Sequence, residues 1–101
     1  LVVMSHASNV CGTVLDAEEV GKICKEKGVF FALDAAQSAG VINIDFEKFN
    51  LSALCLTGHK GLLGPQGTGA LLLRHELAEA LDPVISGGTG SASHLLTLNL
   101  P

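Results

Sequence analysis

Lys60 lies in the run Leu56-Thr57-Gly58-His59-Lys60-Gly61-Leu62-Leu63-Gly64-Pro65-Gln66-Gly67-Thr68-Gly69, where an apolar stretch gives way abruptly to hydroxyl, glycine, imidazole and amine. An amine with hydrophobic flanks can lose its hydration. Desolvation lowers its pKa and exposes a nucleophilic nitrogen, which is what a Schiff-base lysine requires. The plainer alternative is a solvated lysine in a surface loop. Asp34 comes straight after Val29-Phe30-Phe31-Ala32-Leu33, where a lone carboxylate is costly unless a cation or a hydrogen-bond donor meets it. Such an acid either caps the turn that follows or faces a protonated ring nitrogen. Gln37 and Asn9 carry amides that suit an oxyanion, and Thr57 and His59, with nearby backbone N–H groups, suit a phosphate.

The elements that must position these groups are legible in outline. Leu1-Val2-Val3-Met4 has the pattern of a short buried strand and runs into the polar turn Ser5-His6-Ala7-Ser8-Asn9. Asp16, with Glu19 after it, has the form of a capping box, and Leu15 with Val20 fits the accompanying hydrophobic staple. Ala17, Val20, Ile23 and Cys24 then share one helical face, Lys25 and Lys27 complement the dipole in the last turn, and Gly28 supplies the stop. Val29 to Leu33 is a continuous apolar run, as expected of a strand covered on both faces. Strand, helix and strand at this spacing make a βαβ unit with parallel strands. Val41 to Phe49 is ambiguous between a strand and a turn. Leu51 to Leu56 is a third buried strand, Thr68 to Leu73 a fourth, and His75 to Leu81 a short helix closed by Asp82-Pro83, with a Gly, Ser and Thr-rich loop over Ser86 to Ser93. Parallel strands of an open α/β sheet present their carboxyl ends to the ligand crevice. The polar residues after the first, second and third strands should therefore converge on one rim. His6 is expected to shape this rim by hydrogen bonding, and His75 and His94 to be solvated.

Composition limits the remaining possibilities. The 101 residues are 48% hydrophobic and 16% charged, with mean hydropathy +0.45 and no Trp or Tyr. An average domain has about 25% charged residues, so the chain is short of polar surface and is expected to be part of a larger body. Its opening without a methionine, directly on a strand-like segment, agrees. A net charge of −4 without a basic run argues against nucleic acid and anionic membranes as partners. The apolar runs are shorter than a membrane span and no leader pattern is present, which makes the cytoplasm the expected location. Cys11, Cys24 and Cys55 lack the C-x-x-C spacing of a zinc or redox pair, so no metal site is expected.

Pyridoxal 5′-phosphate would answer this donor set, because an acidic partner that keeps its pyridine nitrogen protonated lets the ring act as an electron sink. The segments Ser5-His6-Ala7-Ser8-Asn9-Val10 with Gly12, Asp34-Ala35-Ala36-Gln37-Ser38-Ala39-Gly40, and Thr57-Gly58-His59-Lys60 followed by Gly64-Pro65-Gln66-Gly67-Thr68-Gly69 together resemble the class V aminotransferase family of pyridoxal phosphate enzymes, and look most like its cysteine desulfurase branch. The resemblance covers nearly the whole chain. It implies an aspartate aminotransferase-like (fold type I) large domain, α/β with a mostly parallel sheet and flanking helices, of which residues 1–101 form part. It implies a homodimer acting on a small amino acid, cysteine above all. By the same resemblance Lys60 is the Schiff-base lysine, Asp34 pairs the pyridinium nitrogen, Gln37 and Asn9 contact the phenolate oxygen, and Thr57 and His59 hold the phosphate.

The family's ring-stacking residue, its substrate-binding arginine and the persulfide-forming cysteine of the desulfurases match no position here. Cys11, Cys24 and Cys55 do not correspond to that cysteine, and Gly87-Gly88-Thr89-Gly90-Ser91 resembles a loop of some members without a role assigned to it. The isolated chain is accordingly expected to be inactive. The competing function is a phosphate- or nucleotide-binding α/β module, but neither G-x-x-x-x-G-K-[ST] nor G-x-G-x-x-G is present. Selenocysteine lyase and true aminotransferase remain alternatives within the family.

Overall fold

The computed structural model describes residues 1–85. The described residues form a four-stranded sheet in the order β1-β2-β3-β4: β1 Val2–Ser5, β2 Phe31–Asp34, β3 Ala53–Thr57 and β4 Gly69–Leu73. β1, β2 and β3 run parallel, whereas β4 returns antiparallel to β3 after the glycine loop. Helix α1, Ala17–Lys27, crosses between β1 and β2, and a short α2, His75–Ala80, follows β4.

Local chemistry accounts for the ends of α1. The Asp16 carboxylate accepts the Glu19 N–H at 3.1 Å, and Gly28 adopts φ 65° so that its N–H reaches the last carbonyls; this left-handed stop suits glycine. Only the Asp16 half of the capping box forms, because the Glu19 carboxylate lies 3.9 Å from the Lys22 ammonium instead. Ile23, expected on the buried face with Ala17, Val20 and Cys24, is 50% exposed.

The core lies on one face of the sheet. Phe31 and Leu33 of β2 are fully buried there against Ala17, Cys24, Leu51 and Leu54, with Met4, Val20, Phe46 and Phe49 packed around them. β1 was expected to be buried, but Val3 is 70% exposed. It is an edge strand, and its outer side carries no covering layer among the described residues. The residues of β4 are exposed as well. Residues 43–45 lack regular structure and 46–50 form a turn, which resolves the ambiguous stretch. Arg74 ties that turn to the sheet: its Nε donates to the Leu51 carbonyl at 2.9 Å and its guanidinium lies 5.2 Å over the Phe46 ring.

Gly21 shows how tightly α1 sits. A Cβ at this position would overlap the Phe49 carbonyl oxygen. In a free helix Gly→Ala gains about 1 kcal/mol; here overpacking outweighs that gain. Gly21→Ala is expected to destabilise the fold by up to about 2 kcal/mol, the balance of that gain against an overpacking cost of about 1–3 kcal/mol. Chemical denaturation would measure it, and a stabilised variant would contradict the packing.

Candidate active site

The parallel strands bring the polar segments to one edge, and backbone contacts lock them together. At the end of β1, the His6 N–H donates to the Asp34 carbonyl at 2.9 Å; at the end of β2, the Ala35 N–H donates to the Cys55 carbonyl at 2.9 Å. The turn after β2 and the loop after β3 meet through two glycines. A Cβ on Gly40, which has φ +82°, would come within 2.5 Å of the Gly61 carbonyl oxygen, and one on Gly61 would overlap the Ala39 carbonyl oxygen. The loop carrying His59 and Lys60 is thus held against the turn carrying Gln37.

Asp34 is exposed at the end of β2. One carboxylate oxygen accepts the Ala36 N–H at 3.0 Å, so the capping role weighed from sequence is present. That bond occupies a single oxygen, leaving acceptor capacity on the carboxylate. The register pairs Asp34 with Cys55, so strand alternation places Asp34, Cys55 and Thr57 on one face of the sheet, opposite Phe31 and Leu33 of the core. Burial and then the Asp34 charge push the Cys55 thiol above its ordinary pKa.

Thr57 Oγ1 and His59 Nδ1 are 2.8 Å apart. If Nδ1 carries the proton, the threonine hydroxyl is free to donate to an anion; if Nδ1 accepts, Nε2–H is the free donor. The N–H groups of Gly58 and Gly64 are already committed, to the Thr68 and Gly58 carbonyls, so neither is free to meet an anion. Lys60 is exposed and makes no ion pair among the described residues. The hydrophobic flanks expected to cover it do not do so among the described residues, since Leu62 and Leu63 are 48% and 92% exposed. Asn9 lies exposed in the turn of a loop closed by the Ala7–Val14 bridge. Gln37 is partly buried in the turn after β2.

His6 is 3% exposed and its Nδ1 lies 2.8 Å from Ser38 Oγ, so the expected shaping role has a definite partner. Burial lowers its pKa. Sequence reading missed Ser38, which has no local signal and meets His6 only through the fold. His75, expected to be solvated, is exposed and sits 2.9 Å from Glu79. His94 and residues 87–91 lie outside the described residues. A cavity of about 390 Å³ lined by Cys24, Phe30, Asn50, Ser52 and Arg74 lies at the amino ends of β2 and β3, away from this rim.

The three thiols differ sharply in environment. Cys11 is exposed, and hydrogen bonds from Thr13 and Ser8 lower its pKa to about 7, whereas Cys24 is buried. Thiolate is the reactive form. Alkylation near neutral pH should therefore modify Cys11 first, with a half-maximal rate at about pH 7. Thr13→Val should move that midpoint upward; mass spectrometry finding Cys24 modified first would contradict this order.

An open α/β sheet with chemistry-bearing loops at the carboxyl edge of its parallel strands is the class of protein defined by this fold and rim. Comparison with known proteins narrows it. The aminotransferase class-V model matches residues 1–97. A probable cysteine desulfurase of Pyrococcus abyssi is 41% identical over 88 residues, covering 87% of this chain and 22% of the relative. The apo structure of a cysteine desulfurase from Thermococcus onnurineus NA1 superposes with TM-score 0.80 at 41% identity, covering 85% of this chain and 22% of that one. SspA in complex with cysteine gives TM-score 0.77 at 38% identity, covering 86% and 25%. The chain belongs to the aminotransferase class-V family. Its sheet is part of an aspartate aminotransferase-like large domain, and it spans about a fifth of the length of the relatives it matches. No helix among the described residues is long and apolar enough to cross a membrane.

Proposed function

We propose that residues 1–101 are the cofactor-binding part of a pyridoxal phosphate-dependent cysteine desulfurase that releases sulfur from L-cysteine. The interlocked backbone at the rim carries this reading: Gly40 against Gly61, and His6 against Asp34, hold an acid, two amides, a hydroxyl–imidazole pair and a lysine on one edge of the sheet. The similarity to cysteine desulfurases, and to a protein whose structure holds cysteine, supports the branch and the substrate.

The donor set fits the group. Asp34 has carboxylate capacity beyond its turn bond and would hold a proton on the pyridine nitrogen. Gln37 and Asn9 would donate to the phenolate oxygen. Thr57 and His59 would hold the phosphate through whichever hydrogen their mutual bond leaves free. Lys60 would supply the Schiff-base amine. When bound, the cofactor supplies an electron sink for the substrate α-carbon. The ring-stacking group, the arginine for the substrate carboxylate and the cysteine that accepts sulfur come from other parts of the intact protein, so the isolated 101 residues are inactive. The intact enzyme is a homodimer that works in the cytoplasm.

The test is site-specific labelling of the full-length protein. Incubation with pyridoxal phosphate should give a visible absorbance band, and borohydride should fix the cofactor on the peptide containing Lys60. Label on Lys22, Lys25, Lys27 or Lys48 instead, or a thermal shift with ATP and none with pyridoxal phosphate, would overturn the assignment.

A further inference from the structure

Ser38 is fully buried and His6 nearly so, and each is the other's side-chain partner at 2.8 Å. Both are joined to the rim by their backbones. The His6 N–H donates to the Asp34 carbonyl and its carbonyl accepts the Leu15 N–H, both at 2.9 Å. The Ser38 N–H donates to the Ala35 carbonyl at 3.2 Å, and its carbonyl accepts the N–H groups of Val41 and Ile42. Phe49 fixes the imidazole edge to face, with ring centroids 6.1 Å apart.

His6 therefore stands at the base of the loop that bears Asn9, and Ser38 is the next residue after Gln37. We propose that the buried His6–Ser38 pair is a positioning element that sets the Asn9 loop and the Gln37 turn in register, so that both amides reach the same oxyanion. The inference rests on the pyridoxal phosphate reading and adds to it residues that need not touch the cofactor. Burial of the imidazole, which lowers its pKa, keeps it neutral, so one ring nitrogen donates and the other accepts.

A merely structural pair behaves differently from a positioning pair when both polar groups are removed. Ser38→Ala alone orphans the buried imidazole nitrogen, whereas His6→Phe with Ser38→Ala replaces both partners by apolar groups, a change that can be nearly neutral for stability. Both variants, made in the full-length protein, are compared with wild type for thermal unfolding of the apoprotein, pyridoxal phosphate Kd and the position of the visible band. Positioning predicts that the double variant regains most of the thermal stability lost in Ser38→Ala, yet binds roughly five- to tenfold more weakly with a displaced band, the scale of one net hydrogen bond. A folded double variant with wild-type Kd and band overturns the inference and leaves the functional reading intact. A double variant that unfolds marks the pair as structural support and also overturns it. Wild-type protein that takes up no cofactor at Lys60 overturns both.

Discussion

Replacing Lys60 by alanine in the full-length protein should lower cysteine-dependent sulfide release by about 10³-fold or more, the scale of losing a covalent nucleophile. Lys60→Arg should lose as much. This second variant separates two explanations, because an arginine keeps the positive charge but its guanidinium stays protonated and cannot act as a nucleophile. If Lys60 served only to attract the cofactor phosphate, Lys60→Arg would retain most activity. Neither change should unfold the protein: the side chain is exposed, and the loop is held by backbone contacts of Gly40, Gly58, Gly61 and Gly64, to which the lysine side chain contributes nothing. Cofactor should still bind through Asp34, Thr57 and His59, but dialysis should remove it and borohydride should leave no adduct. Activity above about a tenth of wild type in Lys60→Arg, against the 10³-fold loss expected of a missing nucleophile, would sink the Schiff-base role.

The parts of the fold that were legible are those coded by neighbours in sequence. Asp16 and Gly28 bracket α1 because a cap and a left-handed stop are made within one turn of the helix. The parallel order of β1, β2 and β3 followed from the apolar runs and the connections between them. Burial of β1 was not legible, because the exposure of Val3 depends on what lies over it, not on its own neighbours. The exposure of Lys60 has the same origin: leucines beside it in sequence desolvate it only if they fold over it, and Leu63 is turned out to solvent at φ 59°. Ser38 escaped notice because its partner is 32 residues away. Asp34 illustrates the middle case. Sequence offered a turn cap or a cation partner as alternatives, and one carboxylate can serve both, since the turn occupies a single oxygen.

This double duty makes Asp34→Asn the sharpest single test of the site's electrostatics. The asparagine side-chain oxygen can still accept the Ala36 N–H, so the turn and the fold should survive, while the negative charge disappears. An amide cannot hold the pyridine nitrogen protonated as a carboxylate does. Sulfide release should fall about 10²–10³-fold, the scale of removing one preorganised electrostatic partner of a reacting centre, with cofactor still fixed on Lys60. Asp34→Ala would lose the turn bond as well and blur the two effects. An internal control reads the charge independently of activity. Burial and then the Asp34 charge raise the Cys55 pKa; removing the charge leaves only the burial contribution, so the thiol should titrate lower than in wild type though still above its ordinary value. In apoprotein, alkylation of Cys55 should therefore speed up in Asp34→Asn at a fixed pH below that titration, because a larger fraction is thiolate. Faster alkylation with unchanged sulfide release would mean that the carboxylate is charged and on the expected face of the sheet but does not serve the ring nitrogen. Unchanged alkylation would mean that Asp34 and Cys55 do not share the face their strand pairing assigns them.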